Sequence, residues 1–367
     1  GRKRRQVPAD EHPVKVLIDA TSLLLRSAGV KSYTWHLLRE LAKSGAVSAF
    51  PGIPADRPLN HDASVLAPWA TWPRLAAVFA INHLGSTALD AVCRGYDVFH
   101  SSNMVRVPPR RARLTATLHD MTSYLMPELH TPGNIAADRY FADRILKRAA
   151  GLIAVSENTR QDAINVLGID PKRIETIHSG VDERFFNAVP LRRAKPYVLF
   201  LGTIEPRKNL DTLLDAWRQL PDELRHEYEF VVAGSAGWKS EQTLERLKSV
   251  TYLGYVPESD IPSLTAGAAV FAYVSLYEGF GFPVAQAMAT SVPVVTSNAS
   301  CLPEIAGDGA LYADPRSPAE IRSALERLLT HAGLPPPLRQ AARERAQRYR
   351  WRECARRSMA FFEKVTS

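Results

Sequence analysis

Cysteine is scarce in this chain of 367 residues: there are three, Cys93, Cys301 and Cys354, far apart and without C-x-x-C spacing. That excludes a disulfide framework and a cysteine zinc site, and leaves buried or idle thiols. No apolar run reaches the ~18 residues of a membrane span, and the opening GRKRRQVPADEHP has no apolar stretch that could serve as a secretory signal. A cytoplasmic protein is expected, with room for contact at a membrane face. Excess charge is also modest. Of the formal +8, Arg2, Lys3, Arg4 and Arg5 supply four, and the remaining +4 is ordinary for a body of this size. No interleaving of aromatic and basic residues suggests a nucleic-acid groove. A second basic cluster, RVPPRRAR at 106–113, sits in a proline-broken loop, and the stretch 338–357 is rich in arginine. Such runs are solvated faces, or else they attract anionic lipid head groups or an anionic substrate.

What the chain does have is 46% hydrophobic and 23% charged residues, the balance of a soluble globular protein, at a length that suits two cores. Short apolar runs alternate with amphipathic segments, the pattern of parallel sheets wrapped by helices. Strands are expected at 14–20, 96–102, 114–120, 151–157 and 174–180. The segment before 96 carries Trp69, Trp72, Phe79 and Leu84 among few charges, and reads as core packing in preference to a membrane wedge. A polar, proline-bearing stretch without period then forms a linker, with a hinge near 183–196. The alternation restarts at 197–203 and continues at 228–234, 250–256, 268–275 and 293–298. The expected class is α/β, with two similar units facing each other across a cleft. The expected division is a basic tail at 1–13, a first domain at 14–188 joined by a final helix at 351–367, and a second domain at 189–350. In open parallel sheets ligands sit outside the carboxyl ends of the strands, so the loops there are where chemistry should lie.

Four such loops stand out. SLYEGFGFPVAQ, 275–286, puts Glu278 before two glycines that alternate with aromatics, with Pro283 suited to open a helix. Glycines there either permit a tight turn or expose amides to a ligand, beside a helix end worth roughly half a positive charge. Glu278 can accept hydrogen bonds from hydroxyls, and Gln286 stands one turn into the helix beside it. IEPRKNL sets Arg207 and Lys208 before a helix starting near Asn209, an awkward place for two cations. An anion would resolve the conflict, and a diphosphate suits a guanidinium next to an ammonium; the alternative is a solvent-facing basic pair. LTATLHD ends on His119 and Asp120, where the histidine could meet a hydroxyl and the acid could orient it or hold a loop. Gly29 precedes a helix and offers one more bare amide.

Together SAGVKSYTWHLLREL, TLHDMTSYLMPE, the run from VSENTRQDAINVLGID to IHSGVD, LGTIEPRKNL and the stretch EGFGFPVAQAMATSVPVVTSNASCLPEIAGDGALYADP resemble the retaining GT-B glycosyltransferases of family 4 over nearly the whole chain. The motifs are specific for the family and hardly specific for a substrate. The resemblance implies two Rossmann-like domains facing across a cleft, and a nucleotide-diphospho-sugar donor, GDP- or UDP-linked, held mainly by the second. It implies no other cofactor. Glu278 and the amides of Phe280, Gly281 and Phe282 would grip the donor sugar. Arg207 and Lys208 would stabilise the departing diphosphate, with His119 beside the transferred sugar. Gly29 would approach the diphosphate, and the backbone around Val256 the base. The final helix would cross back to the first domain.

The sequence departs from the family at two places. The family's second glutamate, with seven residues between it and the first, is replaced by Gln286, and the usual pair of glycines before the first helix is reduced to Ala28-Gly29. No D-x-D motif sits at a plausible strand end, so transfer is expected without a metal, the two cations taking its place. The acceptor is expected to be a saccharide or lipid-linked sugar, the donor hexose mannose or a deoxy-mannose. The alternatives are an epimerase or hydrolase of nucleotide sugars on the same fold, or a catalytically idle scaffold that binds anions.

Overall fold

The computed structural model describes residues 13–27, 29–102, 104–330 and 336–367. The basic run Arg2, Lys3, Arg4 and Arg5, and Ala28 in the first glycine turn, lie outside them. The first half builds β1 (Val16–Asp19), β2 (Val47–Phe50), β3 (Val98–Ser101), β4 (Arg113–Leu118), β5 (Gly151–Ala154) and β6 (Ile174–Thr176). The second builds β7 (Tyr197–Leu201), β8 (Glu229–Ala233), β9 (Thr251–Gly254), β10 (Val270–Tyr273), β11 (Val294–Ser297) and β12 (Leu311–Ala313). All neighbouring strands pair in parallel, in the orders β2-β1-β3-β4-β5-β6 and β12-β11-β10-β7-β8-β9. Sequences such as YVLFL in β7 are buried at every position because helices cover both faces of a parallel sheet.

These strand orders place the chemistry. The chain enters the second sheet at a central strand and the first beside an edge strand, and in both it winds off in two directions, so two neighbouring strands send their following loops to opposite faces and leave a crevice between. In the first sheet the crevice opens between β1 and β3, and in the second between β7 and β10. The loop after β7 carries Arg207 and Lys208, and the loop after β10 carries Glu278.

The chain passes twice between the halves, once after β6 and once at Arg350. At the second crossing Val181 and Arg350 form an isolated parallel bridge, and Trp351 lies so close over Gly180 that a β-carbon there would stand 2.3 Å from the Trp351 nitrogen. Beyond it the helix Trp351–Thr366 returns to the first half. Trp351 stacks on His36 with ring centroids 4.9 Å apart, and Phe361 and Val365 rest on the bare backbone of Gly151.

Two sequence expectations are corrected here. The large apolar side chains singled out in the helix Pro68–Leu84 are not core: Trp69, Trp72, Phe79 and Leu84 are 81%, 70%, 65% and 73% exposed. The core takes the other side of that helix, through Ala70, Thr71, Val78 and Ile81. Among the C-terminal arginines, several are half-buried and tie neighbouring parts of the chain instead of forming a solvated face. Arg343 donates to the carbonyl oxygens of Phe186 and Ala289, Arg345 to those of Glu304 and Ile305, and Arg350 lies 3.6 Å over the Phe186 ring. All three cysteines are free and buried.

Candidate active site at the two crevices

β7 runs into a short turn, Pro206–Lys208, ended by Asn209 in the left-handed conformation at φ 58°. The Asn209 amide holds that conformation by donating to the carbonyl oxygens of Val274 at 2.9 Å and Pro315 at 2.6 Å. The turn is thereby pinned against the end of β10. Arg207 and Lys208 point to the loop that follows β10, where Glu278 receives both: Lys208 Nζ lies 2.7 Å from Oε1 and Arg207 Nη1 3.1 Å from Oε2. The Tyr273 hydroxyl donates to Glu278 Oε1 at 2.9 Å, and Arg207 Nη2 meets Glu205 Oε1 at 2.7 Å.

The electrostatic conflict foreseen at Arg207 and Lys208 is therefore answered within the chain. Two carboxylates stand against two cations, and the cluster is formally neutral. Burial alone would raise the Glu278 carboxyl, but Lys208 and Arg207 overcome it and hold the group at about 2. Arg207 is pushed above its ordinary value: burial opposes the charge, and Glu278 and Glu205 outweigh it. Arg207 Nε is buried with no hydrogen-bond partner among the described residues.

Immediately after Glu278, the chain does something that the interior of a protein rarely does. Gly279, Phe280 and Gly281 are buried, yet their amides and that of Phe282 donate to no other group among the described residues. Buried backbone donors almost always find a partner, so a run of free ones marks a place made for an acceptor atom from outside. Gly281 is left-handed at φ 80°, which turns the run into the start of the helix Phe282–Ala289. A β-carbon on Gly281 would stand 2.7 Å from Leu302 Cδ2. Phe280 is fixed by edge contacts with Phe282 at 5.1 Å and Tyr349 at 5.5 Å.

The first half meets this loop directly. A β-carbon on Gly279 would lie 1.6 Å from the carbonyl oxygen of His119 and 3.2 Å from Asp120 Cβ. Asp120 holds its own loop by accepting from the Thr122 amide at 3.0 Å and the Thr122 hydroxyl at 2.7 Å. The His119 ring, by contrast, turns toward the first half. It packs edge-on against Tyr33 at 4.9 Å and borders a cavity of about 10 Å³ shared with His100, Ser102 and Thr117. Its Nε2 is buried without a hydrogen-bond partner among the described residues, and burial lowers the ring to about 4 despite the opposing charge of Asp120.

Of the remaining positions, Gly29 opens the helix Gly29–Leu41, and a β-carbon there would meet nothing within 4 Å, so this helix start faces open space. Gln286 is half-buried on the helix Phe282–Ala289, and Val256 is half-buried just beyond β9. The structure thus gathers Glu278, Arg207, Lys208, Phe280, Gly281, Phe282, His119 and Asp120 about one junction.

Several participants were not picked out from sequence. Glu205 and Tyr273 complete the charge cluster. Glu304 spans the halves: it accepts from the amides of Glu157 at 2.8 Å and Asn158 at 3.0 Å, at the start of the helix Glu157–Leu167, and pairs with His178 Nε2 at 2.6 Å. Tyr277 bonds to Asp162 and Asn158 beside it. Glu205 stood two residues from Arg207 in the quoted motif, and that one acid beside two cations in IEPRK was the available signal.

Two family models match the chain: "Glycosyltransferase Family 4" over residues 27–185 and "Glycosyl transferases group 1" over residues 181–349. Among curated proteins, the O-antigen chain mannosyltransferase B of Escherichia coli is 35% identical over 234 residues, 59% of this chain and 61% of that protein. The serotype-specific mannosyltransferase WbdA of Escherichia coli is 26% identical over 268 residues, 67% of this chain and 33% of that protein. The matched region thus spans about three fifths of one relative and a third of the other. Among solved structures, sucrose-phosphate synthase from Thermosynechococcus elongatus superimposes with a TM-score of 0.72 at 18% identity, covering 96% of this chain and 99% of that one. WaaG, a glycosyltransferase involved in lipopolysaccharide biosynthesis, gives a TM-score of 0.67 at 16% identity over 95% and 99%. These two share the fold of the present chain.

Proposed function

Because the chain belongs to the GT-B glycosyltransferases of family 4, we propose that it moves a hexose from a nucleotide-diphospho-sugar to a hydroxyl of a saccharide or glycolipid, with retention at the anomeric carbon. The observation that carries this reading is the run of amides at Gly279, Phe280, Gly281 and Phe282, without an acceptor among the described residues and the first three on buried residues, placed beside Glu278 and a cation pair at the crevice of the second sheet. A sugar hydroxyl supplies the acceptor atoms those amides lack, and Glu278 accepts from the hydroxyl hydrogens. Mannose or a deoxy-mannose on GDP, with UDP sugars next, is the donor proposed, in keeping with the names of the curated relatives.

In the transfer, the bond from the anomeric carbon to the diphosphate oxygen breaks, a bond to the acceptor oxygen forms, and the acceptor proton leaves with the diphosphate. Negative charge collects on the departing oxygens. Lys208 and Arg207 are fixed beside that point before reaction, and donors arranged in advance lower such a barrier by more than the same groups in water. No metal is required in this account. The free end of the helix Gly29–Leu41 supplies further positive potential from the first half, and the Gln286 amide serves the ribose. Work in the cytoplasm, against the inner membrane face, follows from such substrates.

The test is a thermal-shift panel of nucleoside diphosphates and their sugars. Binding to the folded state raises the melting temperature with occupancy. A shift with GDP or UDP, enlarged by the attached sugar, is expected; no shift with any of them overturns the reading.

A further inference from the structure

The helix Pro68–Leu84 carries large apolar side chains on its solvent side as well as apolar ones on its inward side. Its inward side is Ala70, Thr71, Val78 and Ile81. At 100° per residue, the exposed Trp69, Trp72, Phe79 and Leu84 fall on the opposite half of the helix, with the exposed His83 among them. Apolar side chains on two sides of a helix call for an apolar surrounding on both, and here the protein supplies it on one side alone. Large exposed aromatics are uncommon on a soluble surface, and tryptophan favours places where one side is apolar and the other wet.

Along the sequence of this helix, charge has one sign. No Asp or Glu occurs between Asp62 and Asp90. The basic loop at 106–113 is fastened to the same helix: Asn82 donates to the Met104 carbonyl at 3.0 Å and accepts from the Arg106 amide at 2.9 Å. Asp90 then receives the amides of Arg110 at 2.8 Å and Arg111 at 3.3 Å, and their side chains extend into solvent. Arg113, exposed as well, follows two residues later.

We propose that the face formed by Trp69, Trp72, Phe79 and Leu84 lies in the interfacial layer of an anionic bilayer, with Arg110, Arg111 and Arg113 on its head groups. A second copy of the chain is the other conceivable occupant. It is disfavoured because a two-fold contact between like surfaces would bring the two arginine loops together. The helix does not cross the bilayer: among the described residues no helix is long and apolar enough to do so. It lies in the plane of the surface, as helices with Trp and Phe on one side do. This inference goes beyond the proposed reaction and stands on the surface alone, so its failure and that of the transfer reading are read separately.

The experiment uses the full chain with vesicles of phosphatidylethanolamine and phosphatidylglycerol, and with neutral phosphatidylcholine vesicles, at low and high salt. The wild type should co-sediment with the anionic vesicles, with a blue-shifted tryptophan emission. A triple variant, Trp69→Ser, Trp72→Ser, Phe79→Ser, should lose affinity by about 100-fold or more, because interfacial binding scales with the buried apolar area. Arg110→Ala with Arg111→Ala should lose about five-fold per arginine, an effect that salt erases. Because the basic N-terminus is present in every variant, the differences report this surface. Melting temperature and nucleoside-diphosphate binding should be unchanged in all of them. No vesicle binding by the wild type, or equal binding by the triple variant, overturns the proposal. So does sedimentation showing a dimer that the triple variant abolishes while lipid binding is absent.

Discussion

The carbonyl oxygen of His119 lies 1.6 Å from the point that a β-carbon on Gly279 would occupy, so the loops that end β4 and β10 touch through bare backbone. The two halves are thus in register at the junction where the candidate residues converge. Gly279 is needed for this approach by its lack of a side chain, since its backbone is not left-handed. Gly279→Ala should spread the loops and lower kcat/KM by about 10²-fold, the usual effect of a 1 Å misplacement. Small-angle scattering should show a larger radius of gyration, with the melting temperature little altered. Full activity in that variant would show that the contact is not part of the working form.

Glu278 should stabilise the fold as well as serve the site. Replacing it with Gln leaves Lys208 and half of the Arg207 guanidinium without their buried partner, at a cost of about 3 kcal/mol. Its carboxyl sits at about 2, below the ordinary 4.5. A depressed acid contributes fully above its unfolded value and loses the contribution as pH falls through the folded one. The difference in melting temperature between wild type and Glu278→Gln should therefore hold from neutral pH to about 4.5, then close toward pH 2. A gap that persists undiminished to pH 2 would contradict the ion-pair geometry.

Lys208 offers the cleaner test of the cations, because Glu278 keeps Arg207 and the Tyr273 hydroxyl when Lys208 is removed. Lys208→Ala should lower turnover by ~10²–10³, the usual cost of one donor at a developing anion. Chelators should leave the wild type unaffected, measured as initial rate with and without EDTA. Unaltered turnover in Lys208→Ala would take the leaving-group role away from this residue.

Two buried histidines set an acid limit. His100 is held between Thr115 and Thr117, each at 2.9 Å, and burial, aided by His119, lowers its ring to about 3. His119 is lowered by burial to about 4. Both stay neutral in the folded chain while the unfolded chain takes up protons below about 6.5. Stability should then fall as pH drops from about 6.5 toward 4, and His100→Asn should flatten that slope. Urea midpoints at half-unit pH steps measure it. A flat wild-type profile across this range would refute the assignment of neutral, enclosed rings.

Much of this was legible in the sequence. The buried central strands announce themselves as apolar runs such as YVLFL, and the loops that follow them carry Glu278, Arg207, Lys208, His119 and Asp120. The edge strands β2 and β12 escaped notice because VSAF and LYA are short and mostly half-exposed, with no continuous apolar run to read. The helix Pro68–Leu84 misled for a different reason. Periodicity separates a polar face from an apolar one, and it is silent when both faces are apolar and one is left without a partner. The charge balance of the site was likewise hidden, because Glu278 stands 70 residues from Lys208 and becomes its partner through the β7–β10 pairing. Free amides at Gly279, Phe280, Gly281 and Phe282 are a property of the folded backbone, which residue types alone do not disclose.

The most direct measurement is mass spectrometry, with proton NMR of the product, after incubating the chain with GDP-mannose, related nucleotide sugars and candidate glycan or glycolipid acceptors. The account predicts an acceptor heavier by one hexosyl unit, one nucleoside diphosphate released per transfer, and an anomeric configuration the same as in the donor. Release of free sugar at an equal rate with and without acceptor, or a product with inverted configuration, would contradict it.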